Sequence, residues 1–173
     1  MSNIQVKVNQ RGIPMAPFVE KVETFVQPGE SEATISKFQE MVSKYKFMET
    51  HLLQRKSSLE SKIPEISKTL EMVQFLESQD KNLCTQFELG DTLWANASIP
   101  PCQNVNLWLG ANVMLEYPIK EAKALLSDKL GSAKMSQRQV SEDLSFIKEQ
   151  ITTMEVNIAR VYNYDVKMKR SKK

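Results

Sequence analysis

Two long helical repeats, separated by a short stretch of alternating residues, constrain this chain more than any other feature. The first repeat begins at Ile35 and ends near Asp80. Ten of the fourteen positions that would face a partner helix, which we call the seam, are apolar. The second begins at Ile119 and ends at Met168, with twelve of fifteen seam positions apolar. Apolar residues that recur at spacings of three and four over this length are typical of coiled coils, in which one helix covers the apolar stripe of another.

The two repeats lie in one chain and are joined by a compact module. They bury most of their apolar surface if the chain folds back on itself, so that the helices pair antiparallel. Facing residues would then have numbers that add to about 200. We therefore expect Tyr45 to lie near Met154.

Pro64 lies within the first repeat, on its outer face. A proline inside a helix removes a hydrogen bond and costs about 3 kcal/mol. The apolar repeat nevertheless continues in the same register from Leu59 and Ile63 to Ile66 and Leu70. The sequence therefore predicts a bend within one helix rather than the end of a helix.

Residues 85–117 alternate apolar and polar positions, which is the pattern of half-buried strands. Pro100-Pro101 and residues 110–112 interrupt the alternation and predict turns, and Gly90-Asp91 predicts a bulge or a further turn. This pattern predicts three or four strands, enough for two β-hairpins.

A strand module of about thirty residues is smaller than a sheet that usually stands alone. Its edges carry unpaired backbone groups, which invite pairing with other strands. We therefore expect it to assemble with other subunits. The residues that we assign to this assembly surface are Phe87, Leu89, Leu93, Val105, Leu107, Leu109, Val113, Leu115 and Tyr117.

These patterns predict a mainly α-helical chain with a small β module, built as a long antiparallel coiled-coil hairpin joined by two β-hairpins. Frequent glycine and proline mark the first residues as an N-terminal arm. For this arm, disorder and docking through apolar residues between Phe18 and Val26 both stay open. The predicted segments are the arm (1–29), a single domain (30–168) made of a first coiled-coil helix (30–84), the β assembly module (85–117) and a second coiled-coil helix (118–168), and a basic tail (169–173).

The sequence lacks the residue patterns of a catalytic or metal site. The single histidine, His51, falls on the outer side of the first repeat, and Cys84 and Cys102 have no metal-ligand spacing with it. There is no Gly-rich phosphate loop, and the acidic residues are spread along helix faces. We expect no enzymatic activity, no metal, no cofactor and two reduced cysteines, with a disulfide or redox role as the alternative.

The net charge of +2 is unevenly distributed, because five of the 23 basic residues lie among the last seven positions. We interpret this end as a solvated tail, with contact to nucleic acid or an acidic partner as the alternative. No apolar run approaches the roughly 18 residues of a membrane span, and no signal-type segment is visible. We expect a cytoplasmic protein with a nuclear pool left open, and neither nucleic acid nor membrane as a partner.

Five apolar residues lie outside the seams, near the ends of the helices away from the strand module. A soft surface that contains methionine adapts to varied partners, which suits the binding of unfolded chains. Scattered exposed apolar residues are also ordinary on any protein surface, and this interpretation stays open. The five candidate client-binding residues are Met41, Phe47, Met48, Val156 and Tyr162.

Three stretches carry a resemblance to a known family. Ile63-Pro64-Glu65-Ile66 in the first helix and LWLGANVMLEY at residues 107–117 resemble α-type subunits of prefoldin. The run TTMEVNIARVYN at residues 152–163 is similar to the same family near the end of its second helix. Within the family, the chain resembles the eukaryotic subunit 3 group, also described as von Hippel–Lindau binding proteins, over residues 12–168.

The resemblance implies a hetero-hexamer of two α-type and four β-type subunits, whose strand hairpins build a double β-barrel platform from which coiled coils project. It implies an ATP-independent holdase that captures unfolded nascent actin and tubulin and transfers them to the cytosolic group II chaperonin. The von Hippel–Lindau protein is a further partner that it suggests. A cytosolic coiled-coil scaffold or adaptor is the alternative function, although a rod has little reason to interrupt two matched repeats with strands.

Overall fold

A computed structural model describes residues 8–26 and 30–171, except for the side chain of residue 171. The described residues form two compact units, which are unit 1 (residues 8–26, 30–57 and 138–171) and unit 2 (residues 58–137). The predicted fold class, mainly helical with two antiparallel β-hairpins, is confirmed. The elements are α1 (Val22–Phe25), α2 (Ser31–Glu77), β1 (Leu83–Gly90), β2 (Leu93–Ile99), β3 (Asn104–Gly110), β4 (Val113–Pro118) and α3 (Ile119–Ser171).

The core of unit 1 is built from the predicted seams. Tyr45 and Met154, which we expected to lie close together, belong to one buried cluster. The Tyr45 hydroxyl donates to the carbonyl oxygen of Pro14 at 2.9 Å, and burial raises the pKa of this side chain. The seam residues buried in this cluster are Phe38, Val42 and Tyr45 of α2, and Ile147, Ile151, Met154 and Val161 of α3.

Ion pairs between α2 and α3 report the direction of packing within each unit. The paired residue numbers add to 200 or 201, which is the value expected for an antiparallel pair. Exposed ion pairs contribute little stability, so their value here lies in marking the register. The pairs are Lys46–Glu155 (3.9 Å) and Lys169–Glu32 (3.6 Å) in unit 1, and Lys123–Glu77 (2.8 Å) in unit 2.

The core of unit 2 lies where the helices meet the second hairpin. Val73 of α2 packs with Ile119, Ala122 and Leu126 of α3, and Leu107 of β3 completes this buried cluster. Val73, Ile119 and Leu126 occupy apolar positions of the repeat, Ala122 lies beside them, and Leu107 comes from a strand with a period of two. Packing against helices gives the second hairpin support that a two-stranded sheet lacks by itself.

The two β-hairpins turn where the sequence predicts. Strand β1 pairs with β2 up to Gly90 and Leu93, and β3 pairs with β4 up to Gly110 and Val113, with an irregular register before each turn. Gly110 has a φ of +96°, a conformation that favours glycine. The apparent single run of alternating residues from 87 to 99 is therefore one hairpin.

The predicted end of the first helix at residue 84 differs from the structure, in which α2 ends at Glu77. The turn at this end is closed by Ser78, whose N–H and Oγ both donate to the carbonyl oxygen of Phe75, at 3.1 and 2.7 Å. Strand β1 then begins at Leu83, two residues before the predicted start.

The second helix also extends past its predicted end. It continues to residue 171 and includes the first part of the predicted basic tail. Lys169 reaches Asp165 one turn earlier at 2.7 Å, which lowers the pKa of that carboxyl group and raises the pKa of the lysine. Residues 1–7 and 27–29 of the predicted arm and residues 172–173 of the tail lie outside the described residues.

Helix α2 continues through Pro64, as predicted, so the chain carries a proline inside a long helix. We expect Pro64→Ala to stabilise the protein by about 1–3 kcal/mol, because it restores a helical hydrogen bond and removes a ring clash. Greater freedom of the unfolded chain offsets part of this gain. The measurement is the midpoint of thermal unfolding, followed by the helical circular dichroism signal.

Lys62→Ala is the matched control, since this exposed residue lies on the same helix, and we expect it to change the stability by less than about 0.5 kcal/mol. A lower midpoint for Pro64→Ala than for the parent would show that the proline is adapted to a local bend that alanine cannot keep.

Candidate functional site

The described residues carry few features of a chemical site. They contain no group of three or more His, Cys, Asp or Glu side chains that could hold a metal ion. Cys84 and Cys102 are free thiols, one exposed and one half-buried. His51 is exposed, and its ring meets the ring of Phe47 edge-on at a centroid distance of 4.5 Å. Among the helices that the structure describes, none combines the length and the apolar character of a membrane span.

The hairpin β1–β2 leaves large apolar side chains in contact with solvent. Phe87, Leu89 and Leu93, which we call the β1–β2 apolar patch, are between 61% and 64% exposed. Phe87 lies directly opposite Ala95 in the neighbouring strand, so both project from the same face. Concentrated apolar side chains on a small sheet are characteristic of a surface that contacts another polypeptide.

The hairpin β3–β4 is different, because its own unit covers part of its apolar face. Leu107 is buried in the core of unit 2, while Leu115, directly opposite in β4, is 47% exposed. A change at Leu107 would therefore disturb the fold of this unit as well as any contact made by the hairpin. Assembly through the predicted residues stays a prediction. The remaining members of the set on this hairpin are exposed Val113 and half-buried Val105, Leu109 and Tyr117.

The five predicted client-binding residues all belong to unit 1, but they differ in exposure. Phe47, Tyr162 and Val156 are exposed, at 67%, 60% and 43%. Met41 and Met48 are half-buried and pack against the core of unit 1. The structure therefore gives the first three residues the accessibility that client contact requires, and client binding itself stays a prediction.

An interaction that the sequence analysis did not identify holds the N-terminal arm (residues 8–26) along α3. Asn157 accepts the Val19 N–H at its Oδ1, at 3.1 Å, and donates from Nδ2 to the Pro17 carbonyl oxygen at 2.6 Å. Gln150 accepts the Ala16 N–H at its Oε1, at 2.9 Å. Both amide side chains are buried, and both bind the main chain of the arm.

The start of the arm is held by charged groups. The Arg11 guanidinium donates to Asp143 at 2.7 Å and to Glu142 at 3.1 Å, and these hydrogen bonds raise the pKa of Arg11. The same arginine, together with Arg138, lowers the pKa of Glu142. Asn9 stabilises the loop that contains Arg11, since its Oδ1 accepts hydrogen bonds from the backbone N–H groups of residues 11 and 13.

The arm buries several small apolar residues and exposes three large ones. Met15, Phe18 and Phe25 are 50%, 59% and 43% exposed. The guanidinium of Arg160 lies over the ring of Phe18, 5.3 Å from its centroid, which is within the range of a cation–π contact. The small residues that the arm contributes to the core of unit 1 are Ala16, Val19, Val22 and Val26.

Two sequence signals mark this docking site, which are the apolar residues between Phe18 and Val26 and a spacing of polar residues on α3. Asp143, Gln150 and Asn157 are seven residues apart, so they recur at one heptad position beside the seam. Polar residues at that position are usually solvated, so this spacing by itself does not predict a binding site.

Comparisons with known proteins give a consistent result. The family model described as "Prefoldin: Prefoldin subunit" matches residues 45–164, more than half of the chain. Prefoldin subunit 3 of Elsinoe fawcettii is 54% identical, over 95% of this chain and 86% of that protein. Probable prefoldin subunit 3 of Schizosaccharomyces pombe is 51% identical (95% and 97%), and prefoldin subunit 3 of Homo sapiens is 49% identical (90% and 82%).

A solved structure shares the fold. The cryo-EM structure of filamentous PFD from Methanocaldococcus jannaschii superposes with a TM-score of 0.55 at 14% sequence identity, and the match covers 69% of this chain and 98% of that one.

The buried amide of Asn157 provides a test of arm docking. We expect Asn157→Ala to weaken docking by about 1–3 kcal/mol, because the Val19 N–H and the Pro17 carbonyl lose their partner in a buried place. Hydrogen exchange of the Val19 amide, and of the neighbouring Ala16, Phe18 and Glu20 amides, should then accelerate by about tenfold or more. Asn163→Ala, the same change at an exposed position of α3, is the control and should leave this exchange unchanged.

Proposed function

Since the chain belongs to the prefoldin family and is a co-chaperone subunit of the subunit 3 type, we propose that it acts within a hetero-hexameric, ATP-independent holdase. In this proposal its β-hairpins join those of a second α-type subunit and four β-type subunits in a β-barrel platform, and its paired helices hold unfolded polypeptide. The single observation that carries the proposal is the β1–β2 apolar patch, which a chain acting alone would leave in water.

The strand module supports assembly with other prefoldin subunits. Each hairpin is an isolated two-stranded sheet within this chain, and such sheets are marginally stable by themselves. Their outer edges carry unpaired backbone groups that a neighbouring strand can bind. Covering the β1–β2 apolar patch by strands of other subunits removes apolar surface from water, which is the main driving force for permanent association.

Holding an unfolded chain requires weak contacts in number and no chemical step, so we propose that the chain is not an enzyme. Phe47, Val156 and Tyr162 supply exposed apolar area on the paired helices of unit 1. Each contact alone is weak, but several subunits in one complex raise the effective concentration of such sites around one client. Avidity of this kind gives retention without high affinity at any single site.

We extend the proposal to named partners through the family resemblance. The clients are unfolded nascent actin and tubulin, and the acceptor is the cytosolic group II chaperonin. The location is then the cytoplasm, with a nuclear pool in addition. The von Hippel–Lindau protein is a further proposed partner.

The assembly role predicts that charges placed in the β1–β2 apolar patch prevent association with the other subunits. Phe87→Glu combined with Leu93→Glu places two charges in the β1–β2 apolar patch, and burying unpaired charges at an interface is strongly unfavourable. We expect the tagged variant to be recovered without the other subunits, whereas the parent chain is recovered in a hexamer. The measurement is native mass spectrometry of the tagged chain purified from its own cytosol.

Ser98→Glu is the control for added charge, since this exposed residue pairs with Cys84 on the opposite face of the same hairpin. Hexamers that form normally with the double variant would refute assembly through this patch. A lone dimer of the parent chain, or a complex with one large partner, would overturn the hexamer and favour the scaffold function.

The client-binding role predicts weaker suppression of aggregation by a hexamer that still assembles. Replacement of Phe47, Val156 and Tyr162 by serine should leave the hexamer intact, because these side chains are exposed. The concentration of complex needed for half-maximal suppression of actin aggregation should rise by about threefold to tenfold, since each lost apolar contact is small. Aggregation is followed by light scattering after dilution of denatured actin.

Met72→Ser with Met135→Ser is the matched control, because it removes exposed apolar side chains of unit 2 from the same two helices. Equal suppression by the triple variant and the parent complex would exclude the three residues from the client site.

A further inference from the structure

Three buried polar side chains form a ladder along α3 in unit 1. Asp143, Gln150 and Asn157 are 7%, 5% and 0% exposed, and they recur every seven residues. Seven helical residues advance about 10.5 Å along a helix axis. We call these three residues the polar ladder.

The spacing of the ladder matches an extended polypeptide. Gln150 binds the N–H of Ala16 and Asn157 binds the N–H of Val19, three residues further along the arm. Three residues of extended chain advance about 10 Å, close to the distance between two rungs. An extended segment that runs in the same direction as α3 can therefore meet both Gln150 and Asn157 without a change of register.

Two residues of the ladder bind groups that every polypeptide has, while Asp143 binds the side chains of Asn9 and Arg11. Gln150 and Asn157 contact only backbone N–H and carbonyl groups of the arm in the hydrogen bonds that hold Ala16, Pro17 and Val19. Such bonds do not depend on the side chains of the bound segment. Recognition of the main chain beside an apolar strip is the mode by which extended peptides are bound irrespective of most of their sequence.

The arm occupies this site with small apolar side chains. Its buried side chains there are alanine and valine, while Met15, Phe18 and Phe25 stay exposed. Burial free energy grows with apolar area, so the arm leaves part of the burial that its apolar side chains could provide unused. A segment with larger apolar residues at the inward positions has more area to bury in the same place.

We propose that the polar ladder and the apolar core of unit 1, against which Ala16, Val19, Val22 and Val26 of the arm pack, form a binding site for an extended polypeptide main chain. The arm is its resident occupant, and an extended apolar segment of an unfolded client replaces it. This inference rests on the proposed holdase function and assigns that function a site. The tethered arm competes at an effective concentration in the millimolar range, so replacement requires a client held by several subunits at once.

Hydrogen exchange tests the replacement on the unmodified complex. The probe is denatured actin added to the hexamer, and the readout is exchange of the amides of residues 16–20 in this chain, with the amides of the β3–β4 hairpin as an internal reference. We expect exchange at residues 16–20 to accelerate by about tenfold when client is bound, while the reference is unchanged. Unchanged or slower exchange at residues 16–20, with client retained, would overturn the inference and leave the holdase function standing.

Deletion of the arm and substitution of the ladder amides should change the suppression of aggregation in opposite directions. Deletion of residues 2–26 vacates the site, so the concentration of complex for half-maximal suppression of aggregation should fall by about threefold or more. Gln150→Ala with Asn157→Ala, added to this deletion, should reverse that gain, whereas Asn163→Ala added to it should not. A deletion that lowers suppression while the hexamer stays intact would overturn the inference. If the deletion prevents assembly, the exchange experiment on the unmodified complex decides.

Discussion

The pairing of two apolar helix stripes determines what the rest of this chain must do. A helix with a continuous apolar stripe is not stable alone in water, and most helical stability in proteins comes from covering that stripe. Here the ion pairs within each unit mark an antiparallel pairing, with residue numbers that add to 200 or 201. Two helices cover only one side of each other, so the positions that flank the seam become the next surface that needs a partner.

The arm meets that need in unit 1. Residues that flank a two-helix seam are normally in water, yet Gln150 and Asn157 are buried because the arm lies over them. Burial of an amide without a hydrogen bond would cost about 1–3 kcal/mol, and the main chain of the arm removes that cost. Among the described residues, no buried side-chain nitrogen or oxygen lacks a partner. Without the arm, water would satisfy the same amide groups, as it does for other polar residues beside a seam.

The helices and hairpins were predictable because each has a strong period. The seam residues Phe38, Tyr45 and Met154 follow a heptad pattern that only burial explains, and they are buried. The strands follow a period of two, and the turn at Gly110 has the residue that its positive φ favours. Helix ends were less predictable, since the closing bond at Ser78 is a local contact that no period encodes.

The candidate surfaces were harder to predict, because exposure depends on which neighbours happen to cover a residue. Met41 and Met48 lie next to the seam and are half-covered, whereas Phe47 points away from it and is exposed. Leu107 and Leu115 lie directly opposite each other in one hairpin, yet one is buried by helices and the other is open. A period shows which residues share a face, and it does not show what lies on that face.

The exposed apolar residues of the two units suit different kinds of contact. On the β1–β2 hairpin, hydrogen bonds between strands fix where Phe87 and Leu93 stand, so a partner can match them in one register. On the helices of unit 1, Phe47, Val156 and Tyr162 are separate exposed side chains that no strand pairing aligns, and they define no register. A fixed pattern favours one partner over others, since a mismatch leaves polar groups unpaired. Separate apolar contacts of this kind discriminate little between partners, which is the property that we propose for a surface that holds many unfolded sequences.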